Sequence, residues 1–191
     1  QQQKLTANDA AADDNFGNSV DIDGDYAIVG AVFDDDNGSS SGSAYIFVRN
    51  GTSWTQQAKL TASDGAADDY FSSSAIYGNY AIVGAPYNDD DGTNSGSAYI
   101  FVRDGTSWSQ QAKLTASDAD ANDAFGRSVG IYGDYVIIAS IDDDDNGSNS
   151  GSAYIFVRDG TSWTQQAKVL ASDGAADDRF GTDVAIYGNY A

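Results

Sequence analysis

The residues in this sequence that could do chemistry are aspartates. All 29 acidic residues are Asp, and with only nine Lys or Arg the formal net charge is −20. Asp favours turns and caps whereas Glu favours helices, so a chain that uses Asp alone places its acids in loops. Loop carboxylates are ligands for hard cations such as Ca²⁺. The chain has no His, Cys or Met, which excludes Cys/His zinc sites, Ser-His-Asp triads and disulfides.

The Asp-rich segments have two interpretations, and the sequence leaves both open. They are either solvated turns that keep the chain soluble, or pairs of loops that bind Ca²⁺ through Asp, Asn and backbone carbonyl oxygens. In the first unit the candidate ligands are Asp34, Asp36 and Asn37, together with Asp13 or Asp14. Further along the chain the corresponding candidates are Asp68, Asp69, Asp89, Asp91, Asp123, Asp142 and Asp144.

Enzymatic activity is not expected. Paired carboxylates can hydrolyse glycosides, but catalysis needs a partly buried, asymmetric site with shifted pKa values, and near-identical repeats of exposed Asp do not supply one. The negative charge argues against nucleic acid and anionic lipid as partners, because both attract Lys and Arg. No apolar run reaches the roughly 18 residues of a spanning helix, so membrane insertion is not expected either.

The elements that position these aspartates repeat every 54 or 55 residues. The recurring residues are Trp54, Trp108 and Trp163; Lys4, Lys59, Lys113 and Lys168; Phe16, Phe71, Phe125 and Phe180; and Tyr45, Tyr99 and Tyr154. A fixed period of this length is typical of a repeat architecture. The predicted units are a lone fourth strand over 1–7, full units over 16–62, 71–116 and 125–171, and a partial unit over 180–191.

One unit contains four short strands rich in β-branched and aromatic residues. In the second unit they are predicted over Ser73–Tyr77, Tyr80–Ala85, Gly96–Arg103 and Trp108–Ala116. Gly78-Asn79 and Asp104-Gly105 are predicted to form the tight hairpins between them. Alternation in the fourth strand places on one face Trp108, Gln110, Ala112 and Leu114. Four antiparallel strands per repeat predict an all-β fold of β-propeller blades rather than a β-solenoid, whose coils are shorter.

Four short segments carry a family resemblance. FGNSV at Phe16–Val20 is followed by IVGA at Ile28–Ala31, and FGRSV at Phe125–Val129 and VGAP at Val83–Pro86 match as well. The chain resembles FG-GAP repeat proteins, which include integrin α-chain propellers and bacterial surface and secreted proteins. The resemblance implies a propeller, usually of seven blades, to which this chain contributes about three and a half. It also implies an extracellular or cell-surface location, and binding rather than catalysis.

One departure limits what the resemblance carries over. Integrin-type blades that bind Ca²⁺ do so with an Asp-x-Asp-x-Asp-Gly-like loop between their first and second strands. Here that connection is two residues long, as at Gly78-Asn79, and only Asp21–Asp25 keeps a vestige of the loop. The family's calcium residues therefore do not transfer, and Ca²⁺ is predicted only from the longer Asp-rich loops.

Blade topology predicts a molecule with two different ends. The loop between the second and third strands and the link to the next blade lie at the same end of an up-and-down blade, so 22 of the 29 Asp should share one rim. The other end should carry Arg49, Arg103 and Arg158. The expected function is a non-catalytic extracellular module for adhesion, recognition or structural assembly, with an unidentified protein or glycan ligand. The alternative is a lectin propeller with sites between blades. Four recurring tyrosines are expected to pack in or between blades, with a role as sugar-stacking platforms as the alternative: Tyr26, Tyr80, Tyr135 and Tyr190.

Both ends of the sequence fall inside a predicted blade. The chain begins in a fourth strand and stops at Ala191, two residues into a second strand. Unpaired strand edges seek partners. We therefore expect either self-association through the open edges, into a closed ring of two chains, or further blades in the same polypeptide.

Overall fold

The fold is known from a computed structural model, which describes residues 2–191. The first sheet contains β1 (Phe16–Asp23), β2 (Tyr26–Ala31), β3 (Ser43–Asn50) and β4 (Ser53–Leu60). The second contains β5 (Ser73–Tyr77), β6 (Tyr80–Ala85), β7 (Ser97–Asp104) and β8 (Ser107–Leu114). The third contains β9 (Phe125–Tyr132), β10 (Tyr135–Ser140), β11 (Ser152–Asp159) and β12 (Ser162–Val169).

The three sheets are the blades of a β-propeller. Each is antiparallel and keeps the strand order of the sequence. The innermost strand β5 packs against both β1 and β9, whereas the outer strands β4, β8 and β12 touch much less. This radial arrangement confirms the all-β propeller prediction. Residues 2–191 contain no helix that is long and apolar enough to cross a membrane.

The tight hairpins lie close to their predicted positions. Tyr77 pairs with Tyr80, so Gly78-Asn79 forms the first hairpin as predicted. In the second hairpin Asp104 is still paired, with Ser107, and the loop is 105–106 rather than the predicted Asp104-Gly105. The first loop residue has φ near +60° in both hairpins, a conformation that glycine adopts without steric cost.

The fourth strand differs from the prediction because it contains a β-bulge. The pairing register in the second blade shifts by one residue between Ile100 and Phe101, which leaves Gln111 without a partner. A bulge moves every later side chain to the opposite face. One face therefore carries Trp108, Gln110 and Lys113, and the other carries Ala112 and Leu114. The single face predicted from strict alternation is wrong for this reason.

Each blade packs one face against the next blade, and these interfaces form the core. Between the first and second blades Ile46 and Leu60 meet Phe71, Val83 and Tyr99, all nearly or fully buried. Full burial of an aliphatic side chain of this size contributes roughly 1.5–3 kcal/mol. The bulge also adds a polar contact between blades. In the first blade the bulged residue is Gln57, and its Oε1 accepts a hydrogen bond from Trp108 Nε1 of the second blade at 3.0 Å.

The long loop of each blade is hydrogen-bonded to the link that enters the next blade. The backbone N–H groups of Asp68 and Phe71 donate to the carbonyl oxygens of Ser39 and Ser41 at 2.8 and 3.0 Å. The equivalent donors and acceptors at the next junctions are Asn122 with Thr93, Phe125 with Ser95, Asp177 with Ser148, and Phe180 with Ser150. Long loops and links therefore lie at the same end.

The two ends of the chain are not the strands that the sequence predicts. Residues 2–7 form no strand, and Gln1 of the predicted strand 1–7 lies outside the described residues. Gln3 still pairs through its side chain with the backbone of Trp54, at 2.8 and 2.9 Å. In the predicted partial blade 180–191 only an isolated bridge between Tyr187 and Tyr190 forms. Regular strands do not form in these two segments because no strand of the described residues pairs with them.

The first blade leaves part of one face uncovered. Val20 and Ile22 on β1 are 69% and 61% exposed, whereas the equivalent Val129 and Ile131 on β9 are 8% and 7% exposed. The difference arises because the second blade covers β9, while residues 2–7 cover only the outer part of the first blade.

Candidate functional site

Each blade holds one lysine ammonium among side-chain oxygens. In the first blade Lys59 Nζ lies 2.8 Å from Asp9 Oδ2, 2.9 Å from Asp34 Oδ2 and 2.5 Å from Asp36 Oδ2. The ammonium also lies 5.2 Å from the ring centroid of Tyr45, whose hydroxyl donates to Asp34 at 2.8 Å. We call this set of five residues a lysine centre. It joins a link, a long loop, the third strand and the fourth strand.

The lysine centre of the third blade is equivalent. Lys168 Nζ lies 2.9 Å from Asp118, 2.7 Å from Asp143 and 2.7 Å from Asp145. The Tyr154 hydroxyl donates to Asp143 at 3.0 Å. The lysine side chain is 15% exposed and that of Asp143 is 4% exposed, so this ion pair is largely shielded from water.

The lysine centre of the second blade has one carboxylate fewer. Lys113 Nζ lies 2.7 Å from Asp64 and 3.0 Å from the amide oxygen of Asn88, and it forms an ion pair with Asp90. Asn88 stands where the other two blades have a buried aspartate. Its amide oxygen accepts from Lys113 and from a serine, and the fully buried hydroxyl of Tyr99 has no hydrogen-bond partner among the described residues.

The electrostatics of the lysine centres favour the charged forms. Burial opposes the charge on Asp34, but hydrogen bonds, the strongest from Lys59, outweigh it and hold the pKa of the carboxyl below its ordinary value. Burial also opposes the charge on Lys59, yet its bonds to the carboxylates, first of all Asp36, raise the pKa of the ammonium. The pKa of Lys168 is raised for the same reasons, with Asp143 as its main partner. The Asp34 carboxylate and the two lysine ammonium groups therefore stay charged at neutral pH.

The structure brings together only part of the predicted cation ligands. Among residues 2–191 the first-unit candidates that meet are Asp34 and Asp36, and the carboxylate beside them is Asp9 rather than Asp13 or Asp14. The positions equivalent to Asp34 and Asp36 are, in the second blade, Asn88 and Asp90, and in the third, Asp143 and Asp145. The second blade is offset by one residue because its segment from Phe71 to Tyr80 is one residue shorter than the equivalent segment from Phe16 to Tyr26.

The remaining candidates have local roles in their own loops. Asp14, Asp69 and Asp123 each accept a hydrogen bond from the backbone N–H three residues before, at 2.7, 2.9 and 2.8 Å. Asp89 and Asp144 each accept one from the backbone N–H five residues after, at 2.7 and 2.6 Å. Asp13 and Asp68 adopt left-handed backbone conformations, Asp142 pairs with Arg179 at 3.2 Å, and Asn37 and Asp91 are exposed. These contacts stabilise turns and do not assemble a shared cation shell.

The hairpin end uses its charged and aromatic residues to join blades. An Arg103 guanidinium N–H donates to the Tyr26 hydroxyl of the preceding blade at 2.7 Å, and Arg158 donates to Tyr80 in the same way at 2.9 Å. Two of the four tyrosines considered as sugar platforms are therefore engaged between blades. The other two, Tyr135 and Tyr190, are 38% and 82% exposed.

The segment Asp21–Asp25 also joins blades. The Asp21 and Asp23 carboxylates each accept a hydrogen bond from a backbone N–H of the second blade, Ile76 and Gly78, both at 2.8 Å. Asp25 forms an ion pair with Arg49 at 2.6 Å. The three carboxylates of this segment thus have separate partners.

The innermost strands line an open groove of about 890 Å³. We call it the inner groove; it runs along β1, β5, β9 and residues 182–187. Three aromatic rings pack edge to face in its lining at the end that carries the long loops. The ring centroid of Phe33 lies 5.6 Å from that of Tyr70, and that of Tyr70 lies 5.1 Å from that of Tyr87. Phe33 is 41% exposed, and it belongs to the first blade whereas Tyr87 belongs to the second. The cluster therefore exposes apolar surface between two blades, within an acidic rim.

The comparison with known families matches nearly the whole chain. The FG-GAP repeat matches residues 1–47, 54–101, 108–156 and 163–191. The chain belongs to the FG-GAP repeat family. No curated protein shows significant similarity to it. The crystal structure of Saccharomyces cerevisiae Sqt1 is similar at a TM-score of 0.50 and 11% identity, over 86% of this chain and 37% of that one, a likeness that shows the fold alone.

Close approach of blades explains a glycine of the FG-GAP motif. A Cβ atom on Gly84, the first residue of Gly-Ala-Pro, would lie 1.9 Å from the carbonyl oxygen of Gly126 in the next blade. Gly126 is the glycine of that blade's Phe-Gly pair, and the adjacent Phe125 is fully buried. The two halves of the FG-GAP signature therefore meet at a blade interface.

Sequence reasoning missed the lysine centres. It considered neither the three lysines nor the link carboxylates Asp9, Asp64 and Asp118 as site residues. A usable signal was present, because lysine is the only basic residue that recurs in every fourth strand. A periodic cation beside periodic Asp-rich loops indicates an internal ion pair.

Proposed function

We propose that this chain is a non-catalytic recognition module of an extracellular or cell-surface protein, and that it binds a protein ligand at the aromatic cluster of the inner groove. Membership of the FG-GAP repeat family supports the location, because these repeats are typical of extracellular and surface proteins. The family is also generally one of binding modules rather than enzymes.

The observation that carries the proposal is the cluster of Phe33, Tyr70 and Tyr87. Exposed aromatic side chains are enriched in the cores of protein interfaces, where they bury much apolar area at low entropic cost. The rings lie in the lining of the inner groove, an open concave surface of about 890 Å³. The surrounding Asp favour a partner that presents basic residues next to its apolar contact, because opposite charges raise association rates.

The absence of an enzymatic role is supported by how the buried carboxylates are used. Asp34 and Asp143 are held by lysine and tyrosine, and Asp14, Asp69 and Asp123 are held by backbone N–H groups. Asp34 and Asp143, held between a lysine and a tyrosine in this way, are structural rather than poised to transfer protons.

A glycan ligand is the second candidate, and one observation favours it. The aromatic cluster joins two blades, which is where a lectin propeller would place its sites, and the polar side chains of Asn15 and Asn18 line the same groove. Rings beside amides are the combination that sugars require, with stacking from the rings and hydrogen bonds from the amides.

The experiment is a binding screen of the 191-residue chain against an array of extracellular proteins and an array of glycans. The variants Phe33→Ala and Tyr87→Ala should each abolish the signal. Tyr135→Ala is the matched control, because this exposed tyrosine lies beside the hairpin loop at the other end. A signal that survives both groove variants, or that is lost equally in the control, would refute the proposed site. Competition by free sugar assigns the ligand to the glycan class, and labelling of intact cells with an antibody tests the location.

A further inference from the structure

We propose that the repeated lysine takes the place of a metal ion in each blade. The acidic end of this FG-GAP propeller is then held together without a divalent cation. Replacing the lysine of the first or third blade by a neutral residue would open a divalent-cation site. The inference does not depend on the ligand of the propeller.

The first lysine centre shows why an ion does not fit while the lysine is present. The closest oxygens of Asp9, Asp34 and Asp36 lie within 4.8 Å of one another, close enough to bind a single cation. Ca²⁺ binds oxygen at roughly 2.3–2.6 Å. The space between these oxygens is filled by Lys59 Nζ, at 2.5 to 2.9 Å from all three. Ca²⁺ and the ammonium cannot both occupy it.

The number of donors on the lysine also matches the number of carboxylates around it. An ammonium has three N–H donors, and Lys59 meets three carboxylate oxygens from two separate segments, the link with Asp9 and the long loop with Asp34 and Asp36. A structural ion in a loop-rich end of a propeller would make the same connections. The buried position of Asp34, whose side chain is 5% exposed, favours a cation beside it, because a buried unpaired carboxylate is strongly disfavoured.

The three lysine centres differ in their number of carboxylates, which allows a comparison within one molecule. The lysine centres of the first and third blades each combine three carboxylates with one ammonium, whereas the second has two carboxylates and the amide of Asn88. Calcium affinity rises with the number of charged ligands. Removal of Lys59 or Lys168 should therefore create a stronger cation site than removal of Lys113, in an otherwise matched environment.

The first measurement needs no variant. Thermal unfolding of the 191-residue chain in millimolar Ca²⁺ and in chelator should give the same melting temperature. A melting temperature that is higher in Ca²⁺ and increases further with Ca²⁺ concentration, as linkage requires for a bound ion, would overturn the proposal.

The second measurement compares Lys168→Met with Lys113→Met. In chelator Lys168→Met should lower the melting temperature by about 10 °C, from the loss of a largely buried ion-pair partner, and Ca²⁺ should restore most of the loss. Tb³⁺ luminescence sensitised by the nearby Tyr154 should show tight binding of one ion to Lys168→Met. Lys113→Met should show little recovery and weak Tb³⁺ binding.

Two results would refute the second part of the proposal. One is Tb³⁺ binding to Lys168→Met that is no tighter than to the unaltered chain. The other is equal recovery of Lys113→Met and Lys168→Met in Ca²⁺. If Lys168→Met fails to fold in chelator, the double variant Lys168→Met with Asp145→Asn relieves one repelling charge, and its Ca²⁺ dependence should fall to that of Lys113→Met.

Discussion

The three core tyrosines provide a matched test of how the lysine centres stabilise the fold. Tyr45, Tyr99 and Tyr154 occupy equivalent positions and are each fully buried. The hydroxyls of Tyr45 and Tyr154 donate to the carboxylates of Asp34 and Asp143 at 2.8 and 3.0 Å. The Tyr99 hydroxyl has no partner among the described residues.

The change to phenylalanine should therefore have opposite effects in different blades. A hydrogen bond to a charged group contributes roughly 1.5–3 kcal/mol, and a buried polar group without a partner costs roughly 1–3 kcal/mol. We expect Tyr45→Phe and Tyr154→Phe to reduce the free energy of unfolding by about 2 kcal/mol. Tyr99→Phe should leave it unchanged or raise it by about 1 kcal/mol.

The assay is equilibrium unfolding in urea, with the free energy of unfolding obtained from the midpoint and slope for each variant. Asn88→Asp supplies the missing carboxylate, so in that background Tyr99→Phe should become destabilising, and the double-mutant cycle isolates the coupling between the two side chains. Equal losses for all three tyrosines would refute the reasoning, because they would show that packing of the ring rather than the hydroxyl bond decides the effect.

Two further predictions concern pH and association. Burial, with the nearby charges of Asp143 and Asp120, raises the pKa of Asp123 to about 6. This folded value lies above the unfolded value of about 3.9, so the folded state binds more protons than the unfolded state between these two pH values. The contribution of Asp123 to the free energy of unfolding is therefore lost as pH rises through 6. Asp123→Asn should therefore reduce the loss of unfolding free energy between pH 5 and pH 7 by about 1 kcal/mol, and an unchanged pH profile in urea unfolding would contradict the shifted pKa. The double variant Val20→Ser with Ile22→Ser should reduce self-association in light scattering. These side chains are 69% and 61% exposed, on a face that in the third blade is covered by the second blade. A stable monomer of the unaltered chain would contradict the expectation that this face binds a partner.

The fold class and the repeat period could be inferred from the sequence, because they depend on local patterns. The 54- or 55-residue period, the strands Ser73–Tyr77 and Tyr80–Ala85 and the hairpin at Gly78-Asn79 all agree with the structure. Strand propensity and turn chemistry act over a few residues, and the repetition confirms each of them several times. The placement of long loops and links at one end followed from topology alone.

The arrangement of the site could not be inferred in the same way, because it depends on contacts between distant residues. The bulge at Gln111 changes which side chains of the fourth strand share a face, and a bulge is defined by pairing with another strand rather than by local sequence. Asp9, Asp34 and Lys59 are 25 to 50 residues apart in the chain and meet only when the link and the long loop pack against the fourth strand. Composition could indicate that the acids lie in loops, but only the tertiary structure decides which carboxylates surround the lysine, since an ion pair forms where folding brings the charges together and not where the sequence concentrates them.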